Sequence, residues 1–112
     1  MIEPGTPIHV AERRHFDGDL RRHFVGEVLT MGANALTAGG WGFVYDVNRD
    51  RWERLPDRRA RVVSLIDSRL LIRLLPTDVD VDEIHYTVEK GRHVVTDGRS
   101  FSLDVNEFGP AR

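Results

Sequence analysis

The chain has 112 residues, 40% apolar and 30% charged, with a formal net charge of −2 and no cysteine. That is the composition of one ordinary globular domain with a modest core. It excludes a disulfide framework, a thiol nucleophile and a thiolate zinc site, and no stretch approaches the roughly 18 apolar residues of a membrane helix.

Charge is unevenly spread. Met1–Arg73 carries 12 arginines against 10 acids, and Leu74–Arg112 carries 4 basic residues against 8 acids. All the basic residues but Lys90 are arginine. Guanidinium groups pair bidentately with carboxylates and phosphates, although codon usage in a GC-rich genome gives the same bias. Met1 to Pro7 shows neither a basic start nor an apolar run, so no signal peptide is expected and the expected location is cytoplasmic.

In chain order, residues 1–22 read as an N-terminal arm that is mobile or holds a short helix over Val10–His15 or Gly18–Arg22. Pro4, Gly5 and Pro7 break any strand pattern there, and His9 to Arg22 is mostly polar. An all-β domain is expected over 23–109, followed by a tail at 110–112. His23–Thr30 is its first strand, with Gly26 marking a bend or close backbone approach. Met31 to Asn34 turns the chain. Gly39-Gly40 leads into Trp41–Val47, where Trp41, Phe43, Tyr45 and Val47 alternate as in a half-buried strand. Asn48-Arg49-Asp50 is a turn, which makes Phe43–Leu55 a β-hairpin with a short, exposed far arm.

The longest nearly apolar run, Ala60–Pro76, reads as two core strands joined at Asp67-Ser68. Val62, Val63, Leu65 and Ile66 would make the first a central strand buried on both faces. Residues 69–75 suit a strand better than a short helix capped by Ser68. Thr77–Glu83 is an acidic connector with one helical turn capped by Thr77 or Asp78, anchored by Val79, Val81 and Ile84. Ile84–Glu89 alternates, Lys90-Gly91 turns, and Asp97-Gly98 joins His93–Thr96 to Ser100–Val105 as a hairpin. Phe101, Leu103 and Val105 face inward there, and Phe108 tucks back on the core.

The sum is an all-β single domain: a small barrel or sandwich of about seven or eight short, mostly antiparallel strands. Its Phe24-Val25-Gly26-Glu27-Val28 opening resembles the general layout of Sm-like and other small β-barrels. That resemblance is architectural and implies no function.

The strongest candidate surface is Arg49, Arg51, Arg54, Arg58, Arg59 and Arg61 around Trp52. Guanidinium groups beside an exposed indole suit single-stranded nucleic acid, with Arg21, Arg22 and His23 extending the patch. The plainer alternative is a hairpin whose charges pair with one another while Trp52 packs on the core. Asp78, Asp80, Asp82 and Glu89 match four positions of a calcium loop, but Glu83 stands where that loop needs glycine. His9, His15 and His23 have no ligand spacing, while His85 and His93 sit on neighbouring strands and approach each other if the register allows. Asp97, Asp104 and Glu107 are the carboxylates available for acid–base work. Gly39-Gly40-Trp41-Gly42 opens a strand, so it lacks the helix terminus of a phosphate loop. No nucleophile elbow or dinucleotide fingerprint is present.

The expectation is therefore a non-enzymatic binding or assembly module, without cofactor or metal. It would self-associate or bind a protein, its basic and acidic halves orienting the partners. The alternative is a single-stranded nucleic-acid-binding barrel that uses the Arg/Trp hairpin. A ligand inside the barrel is a weaker third reading, because a core of this size is filled by its own side chains.

Overall fold

The computed structural model describes residues 2–14, 20–99 and 101–105. Among them are nine strands and one 3₁₀ turn, and no α-helix. The strands are β1 (Pro7–Glu12), β2 (Arg22–Met31), β3 (Ala35–Asp46), β4 (Arg51–Arg54), β5 (Arg59–Ser64), β6 (Leu70–Leu74), β7 (His85–Glu89), β8 (Arg92–Thr96) and β9 (Ser102–Asp104). They form two antiparallel sheets. The larger has the order β4-β3-β2-β1-β6, with β5 paired to the first half of β3, and the smaller is β7-β8-β9. β5 and β6 end the larger sheet without pairing to each other, so no barrel closes.

Register and the two-residue repeat of a strand assign the larger sheet's faces. His9 stands opposite Val25 and Arg73, Ala11 opposite His23 and Leu71, and Phe43 opposite His23. These residues share one face. On it Val25, Phe43 and Trp52 pack with Leu75, Val79, Val81 and Ile84 of the connector and with Val95 and Val105 of the smaller sheet. The other face carries Ile8, Val10, Phe24, Val28, Leu36 and Ala38. There Val63 of β5 joins the core, and Leu70 and Ile72 of β6 pack against it. The sheet thus buries both faces, one under its neighbour and one within its own curl. Each fully buried Ile, Val or Phe side chain there contributes about 1.5–3 kcal/mol.

The curl needs one close backbone approach. Gly26 of β2 pairs with Gly40 of β3. A Cβ on Gly40 would lie 2.0 Å from the Val25 oxygen and 2.4 Å from the Gly26 Cα. The two glycines singled out from sequence are therefore the same contact seen from two strands.

Several expectations change. Residues 7–12 are not an arm: β1 lies between β2 and β6, with Ile8, His9 and Val10 buried. The flanking prolines and charges hid a strand whose middle alone is apolar. No helix forms over Val10–Arg14 or Leu20–Arg22, and residues 15–19 of the two expected spans lie outside the described residues. Ala60–Pro76 does hold two strands, and 70–74 is β-strand. Neither is central, because β5 and β6 are the outermost strands, Val62 is 73% exposed and Ile66 77%. The core positions go instead to β1, β2 and β3, where the Gly26–Gly40 pair of β2 and β3 allows the tight packing.

The turns fare better. Lys90 and Gly91 both take positive φ, as a two-residue hairpin turn requires. The connector's helical turn is the 3₁₀ segment Val81–Glu83, capped by Asp80 instead of Thr77 or Asp78. Asp97 organises the β8–β9 turn by accepting the amide hydrogens of Arg99 and Phe101. Val47 leaves the alternating strand and is 73% exposed. Phe108 and Glu107 lie outside the described residues.

Candidate functional site

The Arg/Trp hairpin forms, with Tyr45 opposite Trp52 and Phe43 opposite Arg54. Trp52, however, is only 7% exposed. Its place in the register puts it on the core-facing side, where its ring stacks on His23 at 4.1 Å and on Tyr86 at 4.9 Å. The indole Nε1 is buried without a partner. The exposed indole expected from sequence is therefore a core side chain. Around it the arginines pair off: Arg49 and Arg51 with Glu53, Arg58 with Glu27 and Asp82, Arg59 with Asp57, and Arg61 with Glu12. Arg54 lies over the Trp41 ring at 4.1 Å.

Arg21 and His23 do join Trp52. The Arg21 guanidinium sits 5.1 Å from the Trp52 ring and 5.0 Å from Tyr45, and it donates to the Val105 carbonyl at 3.1 Å. Arg22 lies on the opposite side, with Arg59 and Arg61 around a hollow of about 220 Å³.

A different cluster forms where the sheets meet. His9 Nε2 lies 3.1 Å from the Tyr86 hydroxyl and 3.2 Å from His23 Nδ1, and the hydroxyl lies 2.7 Å from that same Nδ1. The two histidines, fourteen apart in sequence, are diagonal neighbours on paired strands, and Tyr86 arrives from the other sheet. His9 is fully buried, and its Nδ1 has no partner. Burial, with the Arg73 charge nearby, holds His9 down to about 4. His23 is pushed lower still, by burial first and then by His9, Arg21 and Arg73. Both rings are neutral at physiological pH. Burial raises the Tyr86 phenol well above its usual value, against the pull of Arg21 and Arg73.

Of this cluster His23 reaches a cleft of about 390 Å³. Ala11 and Glu12 of β1, Arg13 and Arg14 after it, Arg21 and His23, Leu71 and Arg73 of β6, and Val105 line it. Four arginines from three parts of the chain thus meet over one buried imidazole. Arg73 is there because it stands opposite His9, and Arg21 because it immediately precedes β2. Arg13 and Arg73 make no ion pair among the described residues.

The other sequence candidates are not assembled. His85 pairs in register with Thr96 and His93 with Val88, which puts them at opposite ends of the hairpin. His93 instead meets Asp50 at 3.0 Å, and His85 the Glu83 carbonyl at 3.1 Å. Asp82 is held below the ordinary carboxylate range by the Trp41 indole and by Arg58. Asp104 pairs with Arg92, and Asp97 is spent on its turn. Among the described residues no three His, Asp or Glu side chains could hold a metal ion, and no helix is long and apolar enough to cross a membrane. Compared with known proteins, the chain matches no family model, no curated protein and no solved structure.

Proposed function

We propose that the protein is a non-enzymatic binding module, and that the group it captures is an oxyanion seated in the arginine-lined cleft. The observation that carries this is the convergence of Arg13, Arg14, Arg21 and Arg73 on one hollow. Guanidinium forks match carboxylate and phosphate oxygens, and a partly enclosed site strengthens each contact relative to open water. Leu71, Ala11 and Val105 give the same hollow an apolar wall. The bound carboxylate or phosphate can belong to a small molecule or to a protein partner, a second copy of this chain included. Among the described residues no strand pairs the outer edge of β6, which exposes Leu71 and Leu74 and suits a protein carrier.

The test is calorimetric titration with phosphate, sulfate and succinate at low and moderate salt, alongside light scattering of the protein over a concentration series. Saturable binding that weakens with salt supports the reading. A growing mass with concentration, reversed by the small anions, identifies a second copy as the carrier. No binding of any anion at low salt removes the reading.

Single-stranded nucleic acid remains a second reading on different residues. The cleft and the Arg22–Arg59–Arg61 hollow share Glu12 and His23, so a run of phosphates could cross both. Buried Trp52 offers no stacking face, so affinity would come from phosphate contacts and fall steeply with salt. Anisotropy of a labelled oligonucleotide separates this from the small-anion reading.

A further inference from the structure

Resting on the cleft as the binding site, we propose that His23 donates its Nε2–H to the bound oxyanion, with Tyr86 and His9 as positioning residues that fix the ring's tautomer. The ligand this selects is a deprotonated oxyanion, a carboxylate, sulfate or phosphate, and not a neutral or hydrogen-donating group.

The proton positions follow from counting. A neutral imidazole carries one N–H and one lone pair. His9 is sealed, and its Nδ1 meets nothing. A buried orphan N–H is rarer and costlier than an orphan acceptor, so the lone pair belongs at Nδ1 and the proton at Nε2. His9 Nε2 then donates to the Tyr86 oxygen, 3.1 Å away. The Tyr86 hydroxyl hydrogen is left for the shortest contact of the three, 2.7 Å to His23 Nδ1. Because Nδ1 accepts, the single proton of His23 must sit on Nε2.

That nitrogen is not among the sealed, unpartnered atoms, and His23 lines the cleft. The Trp52 ring stacked at 4.1 Å fixes the plane of the imidazole. The relay therefore runs outward from His9 and ends as a neutral donor among arginines. A neutral donor suits this place: burial first, and then the charges of Arg21 and Arg73, disfavour a cationic ring. The groups facing the ring are His9, Tyr86, Arg21 and Arg73. Glu12 is the one described carboxylate in the cleft.

The test uses the full chain and sulfate, an anion that keeps its charge through the neutral range. In a long-range ¹H–¹⁵N spectrum the account expects His9 and His23 both as Nε2–H tautomers, and sulfate should shift the His23 Nε2–H resonance. His23→Gln, which keeps an N–H near the Nε2 position, should bind within about threefold of the parent, whereas His23→Leu should lose about tenfold or more. A His23 proton found on Nδ1 overturns the inference. So does sulfate binding that depends on Arg73 but leaves the His23 resonance unmoved. Either result leaves the cleft as a binding site. Failure of the parent protein to bind sulfate, phosphate or succinate removes the cleft reading itself, and this inference with it.

Discussion

Two regions of this molecule are rich in arginine, and they differ in what the arginines face. On the β3–β4 hairpin and the start of β5, the guanidinium groups lie on the outside, and half pair with an acid a few residues away or across a turn. In the cleft, arginines from the ends of β1, β2 and β6 line a common hollow together with the His23 imidazole, which Tyr86 holds from behind. Density in sequence produced the first arrangement and topology the second. Arg49, Arg51 and Arg59 are neutralised by acids close in sequence, and Arg58 and Arg61 by acids that other elements bring. Those that converge from separate strands line one hollow together. Dense clusters are thus a poor guide to a binding surface when their own neighbours supply the counter-charges.

The comparison can be broken most forcefully at Trp52. If the indole is core and not a stacking platform, Trp52→Ala should cost about 3–5 kcal/mol of folding stability, the range for emptying a large aromatic from a core. Chemical denaturation measures this, and Trp52→Phe should recover part of the loss. Unchanged stability would put the ring back on the surface.

Acid should act next. The unfolded chain protonates His9 and His23 near 6.5, whereas folded His9 resists to about 4 and His23 further. Between those values the unfolded state holds more protons. Stability therefore falls as pH drops below 6.5, by about 1.4 kcal/mol per pH unit for each such histidine. Asp50, Asp82 and Asp97 have lowered pKa values, so their contribution is present above about 3.8 and is lost only below it. Denaturation midpoints at pH 7, 6 and 5 therefore isolate the histidines, and His9→Phe should flatten the slope.

Gly40→Ala tests the scaffold on which both regions hang. The added Cβ meets backbone on β2, so the strands must part, at a cost of about 1–3 kcal/mol. Smallest of all is the hairpin's own charge. Arg59→Ala or Arg51→Ala removes an exposed pair and should change stability by less than about 0.5 kcal/mol, within the range for surface ion pairs.

Much of the fold was legible because strand periodicity is local. Trp41, Phe43 and Tyr45, then Phe101, Leu103 and Val105, alternate and do turn toward the core. The Asp97-Gly98 turn and the Gly26 approach were equally readable. Three things were not. β1 has a short apolar middle between a proline and charges, and only its partners reveal it. The long run Ala60–Pro76 has the hydrophobic content of a central segment, but content does not fix burial, and the pairing order places its strands at the ends of the sheet. The site itself was invisible. The spacing of His9 and His23 acquires meaning only once β1 pairs with β2 in the register that sets Ala11 against His23. Arg13, Arg14 and Arg73 carry no motif. The one sequence signal that survived was Arg21-Arg22-His23, read as the edge of a basic patch. Arg21 and His23 proved to belong to the cleft.

The most direct test of the central contrast is a pair of substitutions read by the same titration. Sulfate affinity is measured at low salt for the parent protein, for Arg73→Gln in the cleft and for Arg59→Gln on the outside. The account predicts a loss of about tenfold or more for Arg73→Gln and less than twofold for Arg59→Gln, with both proteins folded. Equal losses in the two variants, or a larger one at Arg59, would contradict it.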